Sequence, residues 1–190
     1  LKAYASGTHN VEAMQNEIRY YKHDMINPKY EDPVDNNIIL IPGFIPFENI
    51  NWLYENSDVF ALTSRGEGFG LPIAEALTKG LPVLVPKEGG HTGYVHKDAA
   101  FLVDGHWDTC LFNIVPYEND GEWYECHINS TRKQLRKAYN MWKHEREELK
   151  AMGTAGRDNV LSGEYSPLKI GEMIYETVKN SDETFIHTTL

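Results

Sequence analysis

Short apolar, β-branched runs alternate along the chain with segments whose apolar residues recur at helical spacing. That alternation predicts βαβ units, in which helices join the strands of a parallel sheet and pack on its faces. Leu1 to Tyr4 reads as a strand, and Asn10 to Met25 as an amphipathic helix with Val11, Met14, Ile18 and Tyr21 on one side. A polar, proline-containing loop follows through Asn37. Ile38 to Ile41, four apolar residues in a row, fits a strand covered on both faces. A short helix is predicted over Phe47 to Asn56, then a strand over Val59 to Leu62. A glycine-rich segment leads into a helix from Pro72 to Lys79, ended by Gly80, and a strand over Pro82 to Val85. Ala100 to Val103 reads as the last strand.

Beyond Asp104 the pattern changes. Gly105 to Glu125 is of mixed polarity with no clear period, so residues 105–126 are expected to be a long loop or insertion. Ile128 to Lys150 reads as one long charged helix, its run from Lys143 to Lys150 being a solvated face with local ion pairs. Helical segments near Gly153 to Leu161 and Leu168 to Lys179 close the fold, and residues 181–190 are expected to form a loose tail. The fold class is therefore α/β, a Rossmann-like parallel sheet with helices on both faces.

Composition narrows the function classes. At 190 residues the chain has room for one good core. With 41% hydrophobic and 24% charged residues it has the make-up of a soluble globular protein. No apolar run approaches the ~20 residues that cross a bilayer. The net charge of -10, with no block of lysine or arginine, argues against nucleic acid as a partner. Cys110 and Cys126 form no CxxC motif and indicate neither a disulfide framework nor a zinc site, which fits a reducing, cytoplasmic setting. Asn129-Ser130-Thr131 fits a glycosylation acceptor, a pattern that matters only in a secreted chain.

The candidate chemistry lies between Ser64 and Gly90. Ser64-Arg65-Gly66-Glu67-Gly68-Phe69-Gly70-Leu71-Pro72-Ile73-Ala74-Glu75 leaves a buried strand, turns through three glycines and enters a helix with Pro72 in its first turn. Proline there presets the backbone and lacks only an N–H that the first turn leaves unpaired. The glycines allow close approach of the main chain to a ligand, and the helix start turns N–H groups and a positive dipole end outward. In open α/β sheets this carboxyl edge is where ligands bind. Seven residues separate Glu67 from Glu75. Carboxylates suit vicinal diols because each oxygen accepts a separate O–H. A sugar at one end, a diphosphate between and a ribose at the other would satisfy the set. Taken singly, each feature is an ordinary structural one; it is their combination that points to a ligand site.

Glu67-Gly68-Phe69-Gly70-Leu71-Pro72 with Glu75-Ala76-Leu77, then Gly80-Leu81-Pro82-Val83 and Gly89-Gly90, resembles the E-x7-E signature of retaining glycosyltransferases with the GT-B fold, called group 1 or family 4. Gly43-Phe44-Ile45-Pro46, Leu53-Tyr54 and Asp58-Val59-Phe60 are similar to the stretch that precedes the signature. The resemblance covers roughly Ile38 to Val103. It implies that Glu67 is the catalytic carboxylate, bonding hydroxyls of the donor sugar. It implies that Gly68, Phe69, Gly70 and Leu71 meet sugar and phosphate and that Glu75 holds the ribose. Gly43, Phe44 and Ile45 would contact the base. Gly89, Gly90 and His91 are candidates for the rest of the donor pocket. The implied reaction transfers a sugar from a nucleoside-diphosphate sugar with retention, using no metal and no further cofactor. The acceptor, whether glycan, lipid or protein, stays open.

Two departures qualify this. The family's arginine and lysine on the first strand-helix unit have no counterpart, and the glutamate that many relatives place three positions beyond the second glycine is Gly93 here. Leu1 to Ser6 aligns with the family's second strand. Residues 1–180 are thus expected to be an N-terminally truncated donor-binding domain, inactive alone and lacking an acceptor domain through which peripheral membrane association would arise. Arg65 is expected in a structural ion pair and Lys87 simply solvated. Trp107, Tyr117, Trp123 and Tyr124 either line an acceptor groove or pack the long loop onto the sheet. Two other functions share the site, a GT-B sugar-nucleotide epimerase and a non-catalytic nucleotide- or carbohydrate-binding module.

Overall fold

The computed structural model describes Asn16, Ile41 and residues 45–110 and 121–187, with side-chain detail through Asn180. The strand expected at Leu1 to Tyr4 and most of the helix at Asn10 to Met25 and of the strand at Ile38 to Ile41 lie outside the described residues. The chain divides into two compact units, residues 1–50 and 51–190. The boundary falls within helix α1, Phe47–Glu55.

The second unit is built on three parallel strands. β1 (Phe60–Ala61) pairs with β2 (Val83–Pro86), which pairs with β3 (Ala100–Val103). The central β2 is buried along its whole length, as its run of apolar residues predicts. Side chains alternate between the sheet's two faces. Val83, Val85 and Ala100 share one core with Ile73, Ala76 and Leu77 of helix α2 (Leu71–Thr78). Leu84, Phe101 and Val103 share the other with Ala138 and Leu149 from the helices that follow. Helices therefore cover both faces, and the fold is α/β and Rossmann-like as expected. Full burial of Ile73 and Leu77 is worth roughly 1.5–3 kcal/mol for each side chain.

Helix α2 ends where the glycine signal predicts. Gly80 takes φ 77°, its N–H bonds to Leu77 O at 2.8 Å, and the Leu81 N–H reaches Ala76 O at 3.1 Å. This paired closure satisfies carbonyls that the helix end would otherwise leave open.

Three segments differ from the sequence reading. Residues 105–126 contain a pair of antiparallel strands, β4 (Gly105–Thr109) and β5 (Glu122–Cys126), rather than loop throughout. β4 is largely exposed and β5 mostly half-buried around a buried Tyr124, so no apolar alternation marks them in the sequence. The long charged helix is two helices, α3 (Ile128–His144) and α4 (Arg146–Ser162), broken at Glu145 with φ -136° and ψ 49°. The break lets α4 lie against α2 through two glycines. A Cβ at Gly153 would come within 1.9 Å of Gly80 O, and one at Gly156 within 2.6 Å of Leu77 Cδ2. Finally, α5 (Pro167–His187) continues into the segment read as a tail, since neither proline nor glycine interrupts it after Gly171. No described helix is long and apolar enough to cross a membrane.

Candidate functional site

Two loops leave the carboxyl ends of neighbouring parallel strands and are stitched together. The first follows β1, whose pairing is prolonged by Leu62 N–H to Leu84 O at 2.9 Å, and runs to α2. The second follows β2, where Lys87 N–H reaches Val103 O at 3.0 Å, and turns through Gly89 and Gly90. Gly90 N–H donates to Glu67 O at 3.0 Å. Contact there is so close that a Cβ on Gly90 would fall 1.6 Å from Gly68 O and 2.7 Å from Glu67 O. Gly89 sits at φ 136°, a conformation L side chains rarely adopt. By contrast, Gly66 and Gly68 have nothing within 4 Å of where a Cβ would be. Those glycines leave the outer side of the loop open.

The entry to α2 is shaped by Gly70, which takes the left-handed φ 78° and accepts the Ile73 and Ala74 N–H groups at 2.9 and 3.2 Å. Beneath it lies the buried Tyr94. Its hydroxyl donates one proton between Phe69 O at 2.7 Å and Gly70 O at 2.9 Å. The Tyr94 and Phe69 rings lie 4.7 Å apart, and Tyr165 stands 6.2 Å from Tyr94 and 6.4 Å from Phe69. Burial, and then the negative charge of Glu67, push the Tyr94 hydroxyl up to about 12, so it stays a donor.

The two carboxylates are held differently. Glu67 is half-buried in the loop, with its backbone carbonyl fixed by Gly90. Glu75 is exposed one turn inside α2, where Tyr54 donates its hydroxyl to Oε2 at 3.1 Å while lying 3.3 Å from Pro72 O. Burial, the hydrogen bond and the charge of Glu75 all raise the Tyr54 hydroxyl's pKa.

Most of the candidate residues come together here. Glu67, Gly68, Phe69, Gly70 and Leu71 form the first loop and helix start, with Glu75 beyond, and Gly89 and Gly90 form the second loop. His91 is 1% exposed. Its Nε2 lies 2.8 Å from Pro86 O, so that nitrogen carries the proton. Its buried Nδ1 has no partner among the described residues. The ring is thus embedded behind Gly89 rather than presented outward. Ile45 is buried, while Gly43 and Phe44 lie outside the described residues. Arg65 is paired with Glu125, as expected, and also lies 4.7 Å over the Trp123 ring. Lys87 is not simply solvated, since it reaches Asp104 at 3.3 Å, but both are more than half exposed and the pair adds little stability. Of the four aromatics, Tyr124 is buried with its ring 5.5 Å from Trp107, and its N–H bonds to Arg65 O at 2.9 Å. Tyr117 lies outside the described residues. Among the described residues no group of three or more histidine, cysteine or acidic side chains is arranged to hold a metal ion.

Residues 34–158 match the family described as Glycosyl transferases group 1, more than half of the chain. The chain belongs to that family. This group 1 chain is 25% identical over 136 residues to an uncharacterised glycosyltransferase of Methanocaldococcus jannaschii, covering 68% of this sequence and 33% of that one. It is 39% identical over 59 residues to the O-antigen chain mannosyltransferase B of Escherichia coli, covering 28% and 16%. The chain thus spans a third or less of the length of these curated relatives. Among solved structures it is similar to HepE of Anabaena in complex with UDP-glucose, at a TM-score of 0.56 and 19% identity, covering 90% of this chain and 38% of that one. It is also similar to the pneumococcal O-GlcNAc transferase GtfA with UDP and GlcNAc, at 0.53 and 19%, covering 94% and 29%. At that identity the likeness shows the fold, the Rossmann-like architecture of GT-B glycosyltransferases.

Two members of this group 1 site carried no role in the sequence reading. Tyr54 and Tyr94 hold the loop and Glu75 from positions 21 and 24 residues away in sequence. Local periodicity marks such tyrosines only as core aromatics, so their hydroxyl bonds had no signal.

Proposed function

We propose that this chain supplies the donor site of an enzyme that transfers a sugar from a nucleoside-diphosphate sugar to an acceptor, with retention of configuration. The observation that carries the reading is the placement of Glu67 and Glu75 on either side of the open Gly68–Leu71 turn, at the start of α2 and the carboxyl edge of the parallel sheet. Family membership supports it, as do the UDP-sugar and UDP complexes of structurally similar proteins.

In this reading the diphosphate meets N–H groups of the Gly68–Leu71 stretch and the positive end of α2. The Ile73 and Ala74 N–H groups are already taken by Gly70 O, and Pro72 has none. Glu67 accepts hydroxyls of the donor sugar, and Glu75 accepts those of the ribose. As the bond from the anomeric carbon to the diphosphate oxygen breaks, the acceptor oxygen bonds to that carbon on the same face, and its proton passes to the departing phosphate. Oriented dipoles that stabilise the leaving group contribute about 3–4 kcal/mol per contact to such a barrier. No metal takes part. Residues 1–180 act as the donor-binding domain of a longer enzyme.

The test uses the intact protein. UDP, GDP and ADP are titrated by calorimetry, and sugar transfer is followed in Glu67→Ala and Glu75→Ala. One nucleotide binds, and each variant loses transfer by orders of magnitude. Wild-type turnover in both variants overturns the assignment.

A further inference from the structure

Glu75 projects from an exposed helix face, where a glutamate side chain ordinarily samples many rotamers and loses that freedom on binding a ligand. Here one of its oxygens is already engaged. The Tyr54 hydroxyl lies 3.1 Å from Glu75 Oε2 and 3.3 Å from Pro72 O, so a single side chain from α1 touches both the carboxylate and the first-turn backbone of α2. Tyr54 is itself fixed. Its ring lies 5.8 Å from Phe60 of β1 and packs on the core that contains Ile73 and Leu77. The end of α1 is tied to the end of α2 a second time, by Glu55 and Lys79 at 2.8 Å. The bond uses Tyr54 as donor, since a carboxylate only accepts. It therefore occupies Oε2 and leaves Oε1 with its full capacity to accept O–H donors.

We propose that Tyr54 is a positioning residue for nucleotide recognition. By holding Oε2 of Glu75 it presets the carboxylate so that Oε1, with the remaining lone pair of Oε2, receives the two hydroxyls of a ribose. This rests on the ribose role given to Glu75 above. The discrimination between a nucleotide with the ribose diol and one without it depends on Tyr54 as well as on Glu75.

The experiment compares Tyr54→Phe, Glu75→Ala and the double variant with the intact wild-type protein, by calorimetry. Each is titrated with UDP, GDP and ADP and with their 2′,3′-dideoxy counterparts, read on whichever base binds tightest. Phenylalanine keeps the ring against Phe60 and removes only the hydroxyl, and circular dichroism confirms the fold. Tyr54→Phe lowers affinity for the ribonucleotide by roughly ten-fold, the scale of one hydrogen bond to a charged group, and leaves the dideoxy affinity unchanged. In the Glu75→Ala background the Tyr54 substitution has no further effect. A purely structural Tyr54 weakens both nucleotides by the same factor, and that result overturns the proposal, as does no change with either. If Glu75→Ala abolishes the discrimination and Tyr54→Phe does not, only the positioning role fails. If Glu75→Ala leaves the discrimination intact, or no nucleotide binds, the reading of the site fails and this proposal with it.

Discussion

Adding one methyl group at Gly90 tests whether the two loops act as a single unit. The Cβ of Gly90→Ala would lie 1.6 Å from Gly68 O and 2.6 Å from Gly68 C, and real Cβ atoms essentially never come within 3.0 Å of such neighbours. Backbone crowds it on that side, so no side-chain rotation relieves the overlap and the loops must part. Parting them breaks the Gly90 N–H to Glu67 O bond, worth about 0.5–1.5 kcal/mol, and forces backbone shifts that typically cost about 1–3 kcal/mol. Together these give about 1.5–4.5 kcal/mol. The cost falls on the folded, donor-bound state, whatever share of it appears before the donor arrives. If the clash persists in the free protein, thermal unfolding reports it. If the free loops relax apart, re-closing them around a nucleotide costs affinity, at ten-fold for each 1.4 kcal/mol. The assay therefore sums two quantities, the loss in unfolding free energy without ligand and the loss in binding free energy by calorimetry. Gly66→Ala is the control for unfolding, because nothing lies within 4 Å of its Cβ position, and wild type is the reference for binding. If Gly90→Ala unfolds like Gly66→Ala and binds like wild type, the loops are not held as described.

Gly68→Ala separates the two readouts in another way. Its Cβ meets no protein atom within 4 Å, so the unfolding temperature stays near wild type while donor affinity falls, because the methyl occupies the open side where a ligand approaches; unchanged affinity in calorimetry refutes this. Tyr94→Phe is predicted to act on stability through pH. The folded hydroxyl is raised from 10.0 to about 12, so its protonated form favours folding; the contribution is whole below pH 10 and is lost as pH rises toward 12. The gap in unfolding free energy between wild type and Tyr94→Phe is constant from pH 7 to 9 and shrinks above 10, measured by denaturant unfolding across that range.

What the sequence reveals depends on whether the deciding interactions are local. β2 is legible because its four residues are buried on both faces and all apolar or proline, and the end of α2 is legible because Gly80 alone accepts its backbone angle cheaply. Glu67 and Glu75 are legible because their spacing brackets one turn. The break at Glu145 is not, since no proline or glycine marks it and the position is set by where Gly153 and Gly156 must meet α2. β4 is hidden because it lies mostly in solvent, where apolar alternation has nothing to face, and β5 because its half-buried positions include Trp123, Glu125 and Cys126 around the one buried Tyr124. Tyr54, Tyr94 and the burial of His91 are likewise tertiary facts, each hydroxyl or ring nitrogen finding a partner that only the folded chain brings near.

The cations nearest the loop bear on how an acidic chain with a net charge of -10 would hold the diphosphate of the proposed donor. Arg65 is bound to Glu125 and stacked on Trp123, and Lys87 lies against Asp104, so both side chains are engaged with the strands around the site. Within the described residues, the attraction for phosphate then falls mainly on N–H groups of the Gly68–Leu71 turn and on the end of α2, equivalent to roughly half a positive charge. Glu67 and Glu75 work against it, since each repels a bare anion. They become favourable only when the anion carries hydroxyls that a carboxylate can accept. On the proposed reading, a site so composed would be weak for inorganic pyrophosphate and strengthen with each diol attached to it, so that recognition of the sugar and ribose would be a condition for holding the diphosphate rather than an addition to it. The Tyr54 bond to Glu75 fits that logic, because it holds the carboxylate in a direction that a diol, and not a phosphate, can use.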